Sequence, residues 1–279
     1  MSVPDRRSTP ATDRVALQGS GIDRPQTTKG TPMRVAVPVA DLLRAPGGAR
    51  DRQVLFGADV TVIDRQDGLA FIQAAADGYC GWIDDTALAA PDGPTTHRVS
   101  APSTHVYSRP DIKSPELMTL SLGARVSVAG DAIDDGRFAQ LTTGGWVPAM
   151  HLSDQPATDP VAEALSLIGT PYLWGGNSRQ GIDCSGTAQA ALLACGIACP
   201  GDSDQQEKAF PAVDAPYHPG DLLFWPGHVA MAIDAETMVH ATAWKMAVIT
   251  ENIASAIARI DAAGDGPFLG ARRPEFDRA

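Results

Sequence analysis

Residues 181–196 read GIDCSGTAQAALLACG, and a helix is predicted to begin near Cys184 and run through Ala188, Ala191 and Leu192 to Gly196. That start places Cys184 among free backbone N–H groups and at the positive end of the helix dipole. Both favour thiolate over thiol and lower the pKa from about 8.5. A cysteine nucleophile needs this environment, while a small buried hydrophobe is the other reading of a lone cysteine. Upstream, Asp159 and Pro160 open a shorter helix whose Val161, Ala164, Leu165 and Ile168 share a face, with Gly169 as its stop. Downstream, Leu222–Trp225, His228–Ile233, Met238–Ala241, Ala247–Thr250 and Phe268–Arg272 read as strands. Helices followed by an antiparallel sheet predict an α+β domain over residues 155–279.

Two histidines stand in this predicted sheet. His228 follows Pro226-Gly227 and opens a strand; His240 lies twelve residues on, in the next. A tight turn between adjacent antiparallel strands brings both imidazoles to one region. One could then deprotonate Cys184 while the other fixes its tautomer and orientation. Either histidine alone reads more readily as structural. Cys195 and Cys199 lie at the helix end and in the turn beyond it without a matched histidine, and their spacing lacks a second ligand pair, so no metal site and no cofactor are expected.

The amino-terminal half has a different texture. Residues 34–91 and 97–154 are short β segments divided by Gly, Pro and Asp turns. Leu43-Arg44-Ala45-Pro46 corresponds to Tyr107-Ser108-Arg109-Pro110, the strand after Gly57 to the strand after Gly123, and Gly81-Trp82-Ile83 to Gly145-Trp146-Val147, at an offset near 65 residues. Two copies of one β domain are predicted, and the pattern resembles the bacterial SH3-like domain. Residues 1–33, rich in Pro, Thr, Ser, Gly and Arg, read as an extended or mobile tail or an arm.

Composition narrows the function classes. With 22 Lys and Arg against 33 Asp and Glu, the net charge of −11 repels a phosphate backbone, so no nucleic acid is expected as a partner. No segment is apolar enough for membrane insertion, and the amino terminus lacks the apolar run of a secretory signal, so a cytoplasmic location is expected. Four cysteines are too few for a disulfide scaffold of this size. Oligomeric state has no signature here.

Five stretches taken together resemble the NlpC-type branch of papain-like peptidases. They are Pro171-Tyr172-Leu173-Trp174-Gly175-Gly176, Asp183-Cys184-Ser185-Gly186, Gly220-Asp221-Leu222-Leu223-Phe224-Trp225, Gly227-His228-Val229-Ala230 and Val239-His240-Ala241. The implied architecture is two small all-β SH3-like barrels followed by an α+β papain-like (NlpC-type) catalytic domain. The resemblance implies a catalytic triad of Cys184, His228 and His240, with Tyr172, Trp174, Asp183 and Ser185 around the substrate. It implies cleavage of the γ-D-glutamyl amide before meso-diaminopimelate or Lys in a murein tripeptide or tetrapeptide, as part of wall-peptide recycling. Tyr172 is either an oxyanion donor or a packing aromatic.

The segment Pro200-Gly201-Asp202-Ser203-Asp204-Gln205-Gln206 resembles the stretch by which such enzymes hold the free amine of L-Ala, through Asp202 and Ser203; Ser203 and Gln206 also fit a capping box. The family usually carries Arg where Gly201 stands. The resemblance also implies that Tyr79 of the first SH3-like domain closes the cleft, with Asp51 as its acidic partner. Two other classes compete: a wall-binding module with an inactive hydrolase domain, and a papain-like amidase or acyltransferase on another substrate.

Overall fold

In the computed structural model, which describes residues 5–130 and 136–275, the chain divides between Asp154 and Gln155 into two units with separate hydrophobic cores. Alternation builds the first. Leu42, Val54, Val60, Val62, Ala70, Ile72 and Ile83 point inward from a seven-stranded sheet whose spatial order is Arg50–Leu55, Val39–Leu43, Cys80–Asp84, Leu69–Ala74, Asp59–Gln66, Thr31–Val35, Leu88–Ala89. A bulge falls between Leu42 and Leu43, and Leu43 pairs with Trp82. The same features recur 64 residues later, where a bulge separates Val106 from Tyr107 and Tyr107 pairs with Trp146. Phe56 of the first repeat packs into the second repeat's core, with Val106, Leu120 and Val147. Gly57 makes that approach possible: its φ is +78°, and a Cβ there would lie 1.9 Å from the Arg125 carbonyl oxygen.

Within the described part of residues 1–33 the chain is docked on the first sheet. Val15 and Leu17 pack against Ile63, Phe71, Cys80 and Trp82. Thr12 Oγ1 donates to Asp64 Oδ2 at 2.9 Å, and Arg14 pairs with Asp64 at 2.8 Å. Thr31–Val35 is a full strand of the sheet, Met33 opposite Val60. The polar composition concealed a two-residue apolar anchor. Tyr79 belongs to the first unit's core, with the Arg52 guanidinium over its ring at 4.9 Å. Asp51 is held by Arg6 at 2.5 Å and Arg44 at 3.3 Å.

The second unit contains helices α1 (Pro160–Ser166), α2 (Cys184–Ala194), α3 (Ser203–Ala209) and α4 (Ile253–Ala263). Besides a short hairpin of Asn177–Ser178 with Gly181–Ile182, its strands are β1 (Ala212–Val213), β2 (Leu222–Trp225), β3 (His228–Ala232), β4 (Thr237–Thr242), β5 (Ala247–Asn252) and β6 (Gly270–Arg272). These six form one antiparallel sheet in the order β1-β6-β2-β3-β4-β5. α4 covers one face through Ile253, Ala256 and Ile260, which pack on Leu223, Trp225, Ala230, Ala232 and Met238. Nine of the eleven residues of α2 are buried, so the helix has no free side on which to rock.

Candidate active site

Cys184 opens α2, as its position in the sequence predicts. Its immediate support is Asp183, the N-cap, whose Oδ1 accepts from Gly186 N at 2.7 Å and Ser185 Oγ at 3.0 Å, while Oδ2 accepts from Gly175 N at 2.9 Å. Residues 171–176 are laced to 181–183 by Ile182 N to Pro171 O, Leu173 N to Ile182 O and Asp183 N to Gly176 O. The approach is too close for a side chain: a Cβ at Gly176 would lie 2.4 Å from the Gly181 carbonyl oxygen. Gly176→Ala is therefore expected to destabilise the protein by about 1–3 kcal/mol, read as a lower denaturant midpoint. An unchanged midpoint would show that these segments yield freely.

The Cys184 sulfur lies against the backbone on either side of His228. Sγ is 3.9 Å from the Gly227 carbonyl, and the Val229 N–H favours its thiolate form. Strand register explains how the two histidines meet. Met231 opposite Val239 sets β3 against β4 so that His240 is diagonal to His228 on the same face. His228 Nε2 lies 2.9 Å from His240 Nδ1. One strand further, Met238 is opposite Glu251 and His240 opposite Ile249, so Glu251 is diagonal to His240 on that face. Glu251 Oε2 is 3.2 Å from His240 Nε2, off the line of a straight hydrogen bond, and Nε2 has no other polar partner among the described residues. Arg259 of α4 grips the same carboxylate with Nε at 2.9 Å and Nη2 at 2.7 Å and stacks on Trp244 at 4.2 Å. Two imidazoles, a carboxylate and a guanidinium thus form one connected series, and the thiol lies against the backbone beside its first member.

Comparison with known proteins places the chain in a family. Residues 169–260 match the NlpC/P60 family, and residues 42–88 match the bacterial dipeptidyl-peptidase Sh3 domain. Dipeptidyl-peptidase 6 of Lysinibacillus sphaericus is 30% identical over 215 residues, 68% of this chain and 79% of its own length. The chain belongs to the NlpC/P60 family. A γ-D-glutamyl-L-lysine dipeptidyl-peptidase of Bacillus cereus is 26% identical over 68% of this chain and 67% of its own length. The crystal structure of an NlpC/P60 family protein from Bacillus cereus shares the fold at a TM-score of 0.73, covering 88% of this chain and 99% of that one at 22% identity. This NlpC/P60 chain is a peptidase.

Within the NlpC/P60 fold, two expectations need correction. The helix start is outweighed: burial first, then the Asp183 carboxylate, push the Cys184 thiol up to about 12, against the lowering effect of the Val229, Ser185 and Cys184 backbone N–H groups. Burial also pushes His228 down to about 3, with His240 and Arg259 adding, and His240 down to about 4. Burial therefore favours the uncharged form of each group. The capping box is the second correction, because α3 begins at Ser203 with Asp202 as N-cap, making no side-chain cap. Gln206, fully buried, instead donates to Ser185 O at 3.0 Å and Pro200 O at 2.9 Å. It ties the Asp202–Ser203 loop to the residue after Cys184.

The other predicted residues divide in two. Tyr172 is half-buried and near Cys184 and Asp183, whose charges add to burial in raising its pKa, so the phenol stays a donor. Trp174, on the same segment, is 67% exposed. Asp183 accepts from protein donors at both oxygens and Ser185 Oγ donates to Asp183, so these two also organise the nucleophile's helix. Glu251, Arg259 and Gln206 were missed from sequence. Glu251 had one available signal, its place in a strand beside that of His240, but only register shows the two are neighbours.

Proposed function

We propose that this NlpC/P60 chain is a cysteine dipeptidyl-peptidase that releases L-Ala-γ-D-Glu from short peptidoglycan peptides with a free amino end. Joining the dipeptidyl-peptidase Sh3 match to the NlpC/P60 match in one chain supports this reading, and relatives across 68% of the chain are named dipeptidyl-peptidases, two of them γ-D-glutamyl-L-lysine dipeptidyl-peptidases. Cys184 attacks the γ-carbonyl as His228 takes its proton, and an acyl-enzyme forms with loss of the diamino-acid product. Water then releases the dipeptide. The Cys184 backbone N–H and the Tyr172 hydroxyl stabilise the oxyanion. Asp202 and Ser203 bind the free amine, residues 97–154 form a second SH3-like domain, and Lys or meso-diaminopimelate follows the scissile bond. All four cysteines are unpaired thiols, which supports a reducing compartment and peptides recovered from wall turnover.

The test is turnover of L-Ala-γ-D-Glu-L-Lys, its meso-diaminopimelate counterpart and the N-acetylated form of each, with the dipeptide detected by mass spectrometry. Acetylation removes the cation that Asp202 would pair, so kcat/KM is expected to fall about 10²-fold or more. Equal turnover of free and acetylated peptides would refute amine recognition. No dipeptide from any of them, with Cys184 still reactive toward a thiol label, would favour another amide or an acyl-transfer substrate.

A further inference from the structure

We infer that Glu251 and Arg259 are positioning residues that act as a pair, holding His240 neutral with its proton on Nε2 so that His228 keeps a free lone pair at Nδ1 for the Cys184 thiol. The tautomers follow in order from the outer end. His240 Nε2 is buried and its only polar neighbour among the described residues is the Glu251 carboxylate at 3.2 Å, an acceptor with no proton to give. A proton on Nε2 is therefore favoured, and a lone pair there, facing a carboxylate, is not. His240 Nδ1 is then an acceptor, and the 2.9 Å contact is a hydrogen bond donated by His228 Nε2–H. That leaves His228 Nδ1 unprotonated. In the attack the S–H bond of Cys184 breaks, its proton moves to Nδ1, and the imidazolium that forms still donates to His240.

Arg259 gives the second half of the inference. An unpaired carboxylate beside a buried imidazole would draw a second proton onto it. Doubly protonated, His240 would present N–H at Nδ1 and could no longer accept from His228. Arg259 binds Glu251 through two hydrogen bonds and opposes that second proton, lowering the proton affinity of both imidazoles, while Glu251 raises that of His228. The pair offers His240 an acceptor with little net charge. The other charged groups are further out: Asp265, beyond α4, acts on Arg259, and Lys245 lies over Trp244, the ring on which Arg259 stacks.

The role rests on the proposed reaction only through Cys184 and His228, and its test uses no peptide. In the full chain with ¹⁵N-labelled histidine, the nitrogen shifts of His240 report tautomer and titration, and the iodoacetamide rate of Cys184 reports base assistance. Wild type is expected to show the Nε2–H form. E251A is expected to mix tautomers and slow alkylation about tenfold or more, while E251Q, which keeps an acceptor oxygen, recovers most of that loss. R259Q is expected to raise the titration midpoint of His240 by about one pH unit, and E251Q to lower that of His228. An Nδ1–H tautomer in wild type, or an E251A protein with wild-type shifts and alkylation, overturns the proposal. Should E251A fail to fold, R259Q decides: an unmoved midpoint overturns it. Peptide turnover is measured separately, so a wrong substrate leaves these readouts intact.

Discussion

Replacing Cys184 by Ala is expected to lower kcat/KM on the free-amine tripeptide by about 10⁴-fold or more, with the fold retained. Retention follows from the site: Ala is a strong helix former, the change removes a single sulfur, and α2 is held by buried neighbours along nearly its whole length. The other cysteines offer no substitute. Burial, with the Asp77 charge, pushes the Cys80 thiol up to about 12, and Cys195 and Cys199 follow the far end of α2. A Cys184→Ala protein of native circular dichroism that still released dipeptide at the wild-type rate would remove Cys184 from the mechanism. Labelling adds a second reading, since the fastest alkylating thiol should disappear in this variant and in no other cysteine variant.

Acid sensitivity is the second large effect. In the folded protein His228 protonates only near pH 3 and His240 near pH 4, whereas in the unfolded chain both do so near 6.5. As pH falls below about 6.5 the unfolded chain takes up protons that the native state does not. The stabilisation of the neutral imidazoles is complete above the unfolded value and is lost as pH drops toward the folded values. Each imidazole contributes a slope of at most about 1.4 kcal/mol per pH unit within that window. Urea midpoints should therefore fall steeply from pH 6.5 to 5, and less steeply in a His228→Gln, His240→Gln double variant. Carboxylates contribute mainly below that range, so the difference between the two proteins isolates the histidines. The acid limb of kcat/KM should lie well below 6.5. Parallel stability curves, or an acid limb at 6.5, would show that burial does not govern these groups.

Local patterns made part of this site readable. The helix at Cys184, the strand that opens at His228 and the strand carrying His240 each leave a signal within a few residues. Matching pairs of Leu43 with Trp82 and of Tyr107 with Trp146 echo the internal repeat in the same way. Other features had no local trace. Val15 and Leu17 are an unremarkable pair inside a polar segment, and only the apolar surface of Ile63, Phe71 and Trp82 makes them an anchor. Gln206 has the spacing of a capping box, yet its amide bridges Ser185 and Pro200 because the chain folds back on α2.

The sequence by itself determined which residues could do the chemistry: a cysteine opening a helix, two histidines on neighbouring strands, and motifs whose order matched an NlpC-type peptidase. Helix starts and strand alternation are short-range properties, set by sterics and hydrogen bonds within a few residues. Only the tertiary structure decided the proton affinities of those residues and which groups back them. Burial and Asp183 push the Cys184 thiol up despite the helix start, and burial depends on everything packed around the sulfur. Glu251 reaches His240 because the register of two strands sets them diagonally, and Arg259 arrives from a helix laid over that face. Burial and register are sums over distant parts of the chain, and no stretch as short as residues 181–196 contains them.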